Sequence, residues 1–226
     1  MTGNAILVQQ PAKAAQLILL FHGVGSNAAA MRPLAASIAS AFPQAMVVAV
    51  NAPYAAGNPG GFQWFSVAGI TEDNRQSRVD QAMPDFSACI AHWQAQAGVA
   101  PLATALIGFS QGAIMALESS KLAHSPASRV VSMSGRFANL PQDGNYTGTI
   151  HFLHGKEDPV IPYQHTVVAA HHLRDLGVDI TAEVLPFVQH EIPAEFVTLA
   201  VTKLSTHISH RIWKDALQAD TGTPNA

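Results

Sequence analysis

Cysteine occurs once in the 226-residue chain, at Cys89, which excludes an internal disulfide framework and a cysteine-based metal site. Set in an apolar pattern, it reads as an inert core thiol. Charge is also scarce: Asp, Glu, Lys and Arg make up 12% of the chain, about half the usual ~25%. The formal net charge is −3, with no Lys/Arg cluster, so a nucleic-acid partner is not expected. No apolar run approaches the ~18 residues of a membrane span. The opening "MTGNAILVQQPAKAAQ" has neither the basic n-region nor the long apolar h-region of a secretory signal. These absences lead to the expectation of a cytoplasmic protein with no integral membrane association. The length suits one domain, taken as residues 1–215, with 216–226 as a fraying polar tail.

What is present is a regular alternation. Short apolar runs recur at 16–21, 45–50, 103–108, 129–134, 149–154 and 179–185, mostly continuous rather than alternating, as in parallel strands buried on both faces. Helical patterns lie between them at 27–40, 71–97, 111–123, 163–176 and 193–207. The longest opens with Thr71 as N-cap and Glu72 and Asp73 in its first turn, and carries Pro84 as an expected kink. The predicted fold class is α/β: a mostly parallel central sheet with helices on both faces. Only "RFANLPQDGNYTG" separates the run at 129–134 from the next strand, too little for a large cap domain.

Within this frame, "GFSQGA" (108–113) places Ser110 between two glycines where an apolar strand meets a helix. G-x-S-x-G alone would arise by chance in about one chain in fifteen of this length at ordinary glycine frequency, so the strand-to-helix setting carries the argument. It is the setting of a nucleophile elbow, in which side chains at 108 and 112 would collide. A serine hydroxyl is a weak nucleophile and needs a base held in one tautomer by an acid. Asp158 follows one later strand and His190 the next, giving the order Ser110, Asp158, His190. Glu157 competes with Asp158 for the acid. The expected oxyanion donors are two backbone N–H groups: that of Gln111, after the nucleophile, and that of Val24 in "FHGVGSN".

Other polar residues have plainer readings. His22 and His154 precede glycines at strand ends and read as loop organisers. His151 and His154 face opposite sides of a strand and cannot share a metal. His207 and His210 read as a surface pair, and Glu72, Asp73, Arg75 and Arg78 as a solvated, locally paired helix face. Trp64 and Phe65 lie in a long loop after a strand end and are candidates for core or for a wall of the substrate site.

The segments "FHGVG", "QWFS", "GFSQGA", "LHGKEDPVIP" and "QHEIP" together resemble the phospholipase/carboxylesterase family of α/β-hydrolases, its small bacterial esterase branch above all. The likeness runs over most of the chain. It implies an α/β-hydrolase fold, Ser110 as nucleophile, Asp158 as acid, His190 as base, and the amides of Val24 and Gln111 as the oxyanion hole. It also implies hydrolysis of a small-molecule ester with no cofactor and no metal, and leaves a homodimer open. The chain departs from the family at Ser26, where Asp is usual, and at Gln189, where Gly is usual. The activity expected is that of a serine carboxylesterase on soluble short-to-medium acyl esters. An acyl-thioesterase or lysophospholipase would share every one of these residues, and a silent binding protein on the same scaffold is the reading from another class.

Overall fold

The computed structural model describes residues 5–208. Strands β1 (Ala5–Gln9), β2 (Gln16–Phe21), β3 (Ala45–Val50), β6 (Thr104–Phe109), β7 (Arg129–Met133), β8 (Thr149–Gly155) and β9 (Asp179–Leu185) form one sheet in the order β1-β3-β2-β6-β7-β8-β9. A short hairpin, β4 (Tyr54–Ala55) with β5 (Phe62–Gln63), stands apart from it. Helices α1 (Arg32–Ala41), α2 (Glu72–Ala97), α3 (Gln111–Ser119), α4 (Gln164–Asp175) and α5 (Ala194–Thr206) connect the strands. All pairings in the large sheet are parallel except that of β1 with β3.

The continuity of "QLILLF" follows from burial on both faces. Leu17, Leu19 and Phe21 pack with Val79, Phe86 and Ile90 of α2 and Ile114 of α3. Ile18 and Leu20 pack on the other face with Leu34 and Ile38 of α1 and Phe196 of α5. Each such side chain taken fully out of water contributes about 1.5–3 kcal/mol. Cys89 packs against the first of these cores, and burial pushes its thiol up to about 11, consistent with an unreactive group.

Two expectations about helices are corrected. The pattern at 27–40 is not one helix: a 3-10 turn over Ala28–Met31, capped by Asn27, gives way to α1 at Arg32. Pro33 lacks an N–H, which the first turn of a helix does not need, and it stands in the first turn of α1. Helix α3 ends at Ser119 rather than 123, where Ser119 and Ser120 turn their hydroxyls onto the carbonyls of Ala116 and Leu117. Pro84 lies inside α2 without ending it. The tail at 216–226 and His210 lie outside the described residues.

The topology fixes where a site can form. From β2 the chain moves outward to β3, then returns to β6 on the other side of β2. The carboxyl ends of β2 and β6 therefore flank a switch point, the position where open α/β sheets bind ligands. The loops after these two strands carry Val24 and Ser110.

Candidate active site

Ser110 begins at the backbone. Its φ of 52° and ψ of −116° are unusual for a residue with a side chain, a conformation that costs on the order of 1–3 kcal/mol and persists only where the surroundings enforce it. Both neighbouring glycines are required, for different reasons. A Cβ at Gly108 would strike the backbone of Gly112 and Ala113, and one at Gly112 would strike the carbonyls of Phe21 and His22. The turn is thus closed against both its own helix and β2. The Ser110 N–H donates to the Met133 carbonyl at 2.9 Å, tying the turn to β7.

The loops after β6, β8 and β9 bring three side chains into a relay. Ser110 Oγ lies 2.9 Å from His190 Nε2, and His190 Nδ1 lies 2.7 Å from Asp158 Oδ2. The other Asp158 oxygen accepts the N–H groups of Val160 and Ile161 at 2.8 and 2.9 Å. Burial alone would raise the Asp158 carboxyl, but the hydrogen bonds from His190 and those two amides outweigh it and hold the group below the usual carboxylate range. Asp158 is therefore ionised and accepts a hydrogen bond from Nδ1–H, which leaves the Nε2 lone pair facing the serine hydroxyl. Glu157 is exposed, and its N–H is bonded to the Val188 carbonyl.

The loop after β2 lies directly against this serine. A Cβ at Gly23 would come within 3.1 Å of Ser110 Cβ. Val24, Gln111 and Ser110 line one cavity of about 160 Å³, together with Phe65, Ile114, Val160, Arg75 and Arg136. Phe65 thus borders the serine. Trp64 is almost fully buried, edge-on to Phe21 and Phe86, with its Nε1–H on the His22 carbonyl, and lines a separate cavity of about 700 Å³ beside α2. At Ser26 the N–H donates to the Gly23 carbonyl, and the residue bridges to Phe62 of the hairpin. Gln189 is exposed next to His190.

Sequence reasoning missed two features. The buried Gln111 side chain accepts the Trp64 N–H at 2.8 Å and donates to the Phe65 carbonyl at 2.7 Å, clamping the loop that walls the site. An amide at a helix start that bonds a distant loop has no signature in sequence beyond its being polar where its neighbours are apolar. The second is Arg75. It pairs with Glu72 as the helix spacing suggests, but its side chain lines the serine cavity and is not a solvated face. Among the described residues no group of His, Cys, Asp or Glu is of a size to hold a metal.

His22 and His154 behave as loop organisers. His22 Nδ1–H donates to the Gly23 carbonyl at 2.7 Å and Nε2 accepts the Ala52 N–H at 3.0 Å. His154 bridges Thr166 and the Ile161 carbonyl at 2.8 Å each. Its Nε2 also stands 3.4 Å from Asp158 Oδ2. His207 meets Asp179 at 2.9 Å.

Burial lowers the pKa of His22 and His154, and burial with the nearby His207, Arg129 and Lys203 charges lowers that of His151 to about 3. In the unfolded chain a histidine takes up a proton below ~6.5. The native imidazoles resist protonation to lower pH, so over that range the unfolded state binds more protons and stability declines as the pH is lowered. Each contributes up to ~1.4 kcal/mol per pH unit while it stays neutral. The urea midpoint should hold above pH 7.5 and drop steadily from about 6.5 downward. A midpoint unchanged between pH 7 and 5 would contradict neutral buried histidines.

The profile of the phospholipase/carboxylesterase family matches residues 2–208. The chain belongs to that family, and its fold is that of an α/β-hydrolase. It is 47% identical over 218 residues to Esterase YpfH of Escherichia coli, covering 96% of this chain and 94% of that protein. The crystal structure of esterase PE8 superposes with a TM-score of 0.78 at 29% identity, covering 90% of this chain and 97% of that one. A shorter match, 30% identical over 107 residues, reaches acyl-protein thioesterase 1 of Gibberella zeae and covers 43% of this chain and 46% of that protein.

Proposed function

We propose that the protein is a serine carboxylesterase that hydrolyses soluble esters through an acyl-enzyme. The relay of Ser110, His190 and Asp158, at 2.9 and 2.7 Å, carries this reading. His190 Nε2 takes the Ser110 proton as Oγ bonds to the substrate carbonyl carbon. The N–H groups of Val24 and Gln111 receive the oxyanion as charge develops there. Collapse breaks the bond to the alcohol, which leaves with the proton from His190. Water then attacks the acyl-enzyme by the same route in reverse order, releasing the acid and restoring Ser110. Asp158 keeps Nδ1 protonated and stabilises the imidazolium without itself becoming protonated.

The cavity at Ser110, about 160 Å³, is small beside the roughly 300–1,000 Å³ of ordinary ligand pockets. It suits a short chain. Residues 134–148 contain no helix and supply no cap over it. With p-nitrophenyl esters of graded length, kcat/KM should peak at short acyl chains and fall for long ones. A fluorophosphonate should label Ser110 in parallel. Acyl-thioesters belong in the same series, because part of the chain matches a protein named as a thioesterase. Turnover dominated by thioesters would make the protein a thioesterase on the same machinery. Loss of both turnover and labelling would make it a binding protein.

A further inference from the structure

Two arginines line the cavity that contains Ser110, in a chain otherwise poor in charge. Arg75 comes from α2 and Arg136 from the loop after β7, and their side chains are only 18% and 13% exposed. One carboxylate serves both. Glu72 accepts Arg75 Nη2 at 3.0 Å and Arg136 Nη2 at 2.7 Å, and it is itself 65% exposed, facing solvent more than cavity. Arg136 Nη1 meets Glu72 at 3.1 Å and His165 Nε2 at 3.2 Å, while Nε donates to the Phe137 carbonyl at 3.0 Å. Burial first, and then the Arg136 charge, lower the pKa of His165, so it enters the cluster as a neutral acceptor. Two guanidinium charges against one carboxylate leave one positive charge uncompensated beside the nucleophile.

A purely structural strut between α2 and the β7 loop does not account for this arrangement. One arginine would neutralise one glutamate, and a finished strut would leave no donor unsatisfied. Here the Arg75 Nε–H is buried and makes no hydrogen bond among the described residues. A largely buried guanidinium that lines a ligand cavity without a carboxylate of its own is stabilised by an anion brought into that cavity.

Resting on the esterase reading above, we propose that Arg75 and Arg136 form a specificity site for esters that carry an anionic group, a carboxylate or a phosphate, a few bonds from the scissile carbonyl. The anion sits against the guanidinium groups while Ser110 attacks the carbonyl, so the pair acts on substrate choice and not on the proton relay. The small cavity limits the separation to a short spacer. Arg is suited to the task because its planar fork matches both kinds of oxyanion.

Matched substrates test this, with acid release followed by titration. Monomethyl glutarate against methyl pentanoate places a carboxylate on the acyl side. A 1-butyryl glycerol 3-phosphate against 1-monobutyrin places a phosphate on the alcohol side. At low salt the wild-type kcat/KM should be on the order of tenfold higher for the anionic member of at least one pair, and the pair that shows it identifies the source of the anion. Arg75→Gln and Arg136→Gln should each bring that ratio down severalfold. Should either variant fold poorly, as its urea midpoint would reveal, the wild-type preference and its decline towards about 1 M salt, where the screening length is ~3 Å, carry the test. No preference in either pair, or one untouched by both substitutions, overturns the proposal while neutral-ester hydrolysis leaves the esterase reading standing. No turnover of any of the four esters removes both.

Discussion

Replacing Ser110 or His190 by alanine should each lower kcat on a short p-nitrophenyl ester by on the order of 10⁶, and the double variant should be hardly worse than either single one. The non-additivity follows from the geometry. At 2.9 Å, His190 Nε2 has one function in the first step, to take the Ser110 proton as the hydroxyl attacks. Without the serine there is no proton to take, and without the imidazole the hydroxyl stays a weak nucleophile. Neither change should unfold the protein. Ser110 Oγ reaches its partner at the surface of the cavity, and the buried anchors of the turn are the Ser110 N–H on Met133 and the two glycines, which an alanine leaves in place. The residual rate in both variants should come from the N–H groups of Val24 and Gln111 and from substrate binding. Losses that multiply in the double variant would mean that the two side chains act on separate steps, and would remove the acyl-enzyme mechanism.

The parts of the site that were legible in sequence are those that local backbone chemistry dictates. Gly108, Ser110 and Gly112 could be read because a strand entering a helix through a turn this tight excludes a Cβ at two fixed positions, which the contacts with Ala113 and Phe21 bear out. Asp158 and His190 could be placed near Ser110 because parallel strands deliver the loops after them to one edge of the sheet. Strand β1 has no such local signal. "AILVQ" is short, and its place is set from outside, by antiparallel pairing to β3 and by Gln9 Nε2 donating to the carbonyls of Phe42 and Ala45. The same holds for Gln111 and Arg136. Their partners lie 46 or 47 and 64 residues away, at Phe65, Trp64 and Glu72, and no periodicity along the chain encodes such pairings. Arg75 differs from its sequence expectation for a related reason: its spacing from Glu72 implies the pair they form, but spacing does not reveal that a loop from β7 closes over that helix face.

Asp158→Asn should cost about 10⁴ in kcat, of the size expected when the base is held in the wrong tautomer, with little effect on substrate affinity. The surroundings dictate how the asparagine would sit. One carboxylate oxygen accepts the N–H groups of Val160 and Ile161, so the amide oxygen must occupy that position. An NH₂ there would face two donors. The NH₂ is therefore forced to the Oδ2 position, 2.7 Å from His190 Nδ1 and 3.4 Å from His154 Nε2. Presented with a donor, Nδ1 must become the acceptor, and the imidazole proton moves to Nε2, where it points at the serine hydroxyl it should be deprotonating. The variant keeps its shape and loses its base. Because the ionised Asp158 also stabilises the imidazolium of the transition state, neutralising it removes that contribution as well. Glu157→Gln is the matched control: Glu157 is exposed, so its substitution should leave kcat nearly unchanged. Full activity in Asp158→Asn together with a crippled Glu157→Gln would transfer the role to Glu157 and break the relay drawn from the structure.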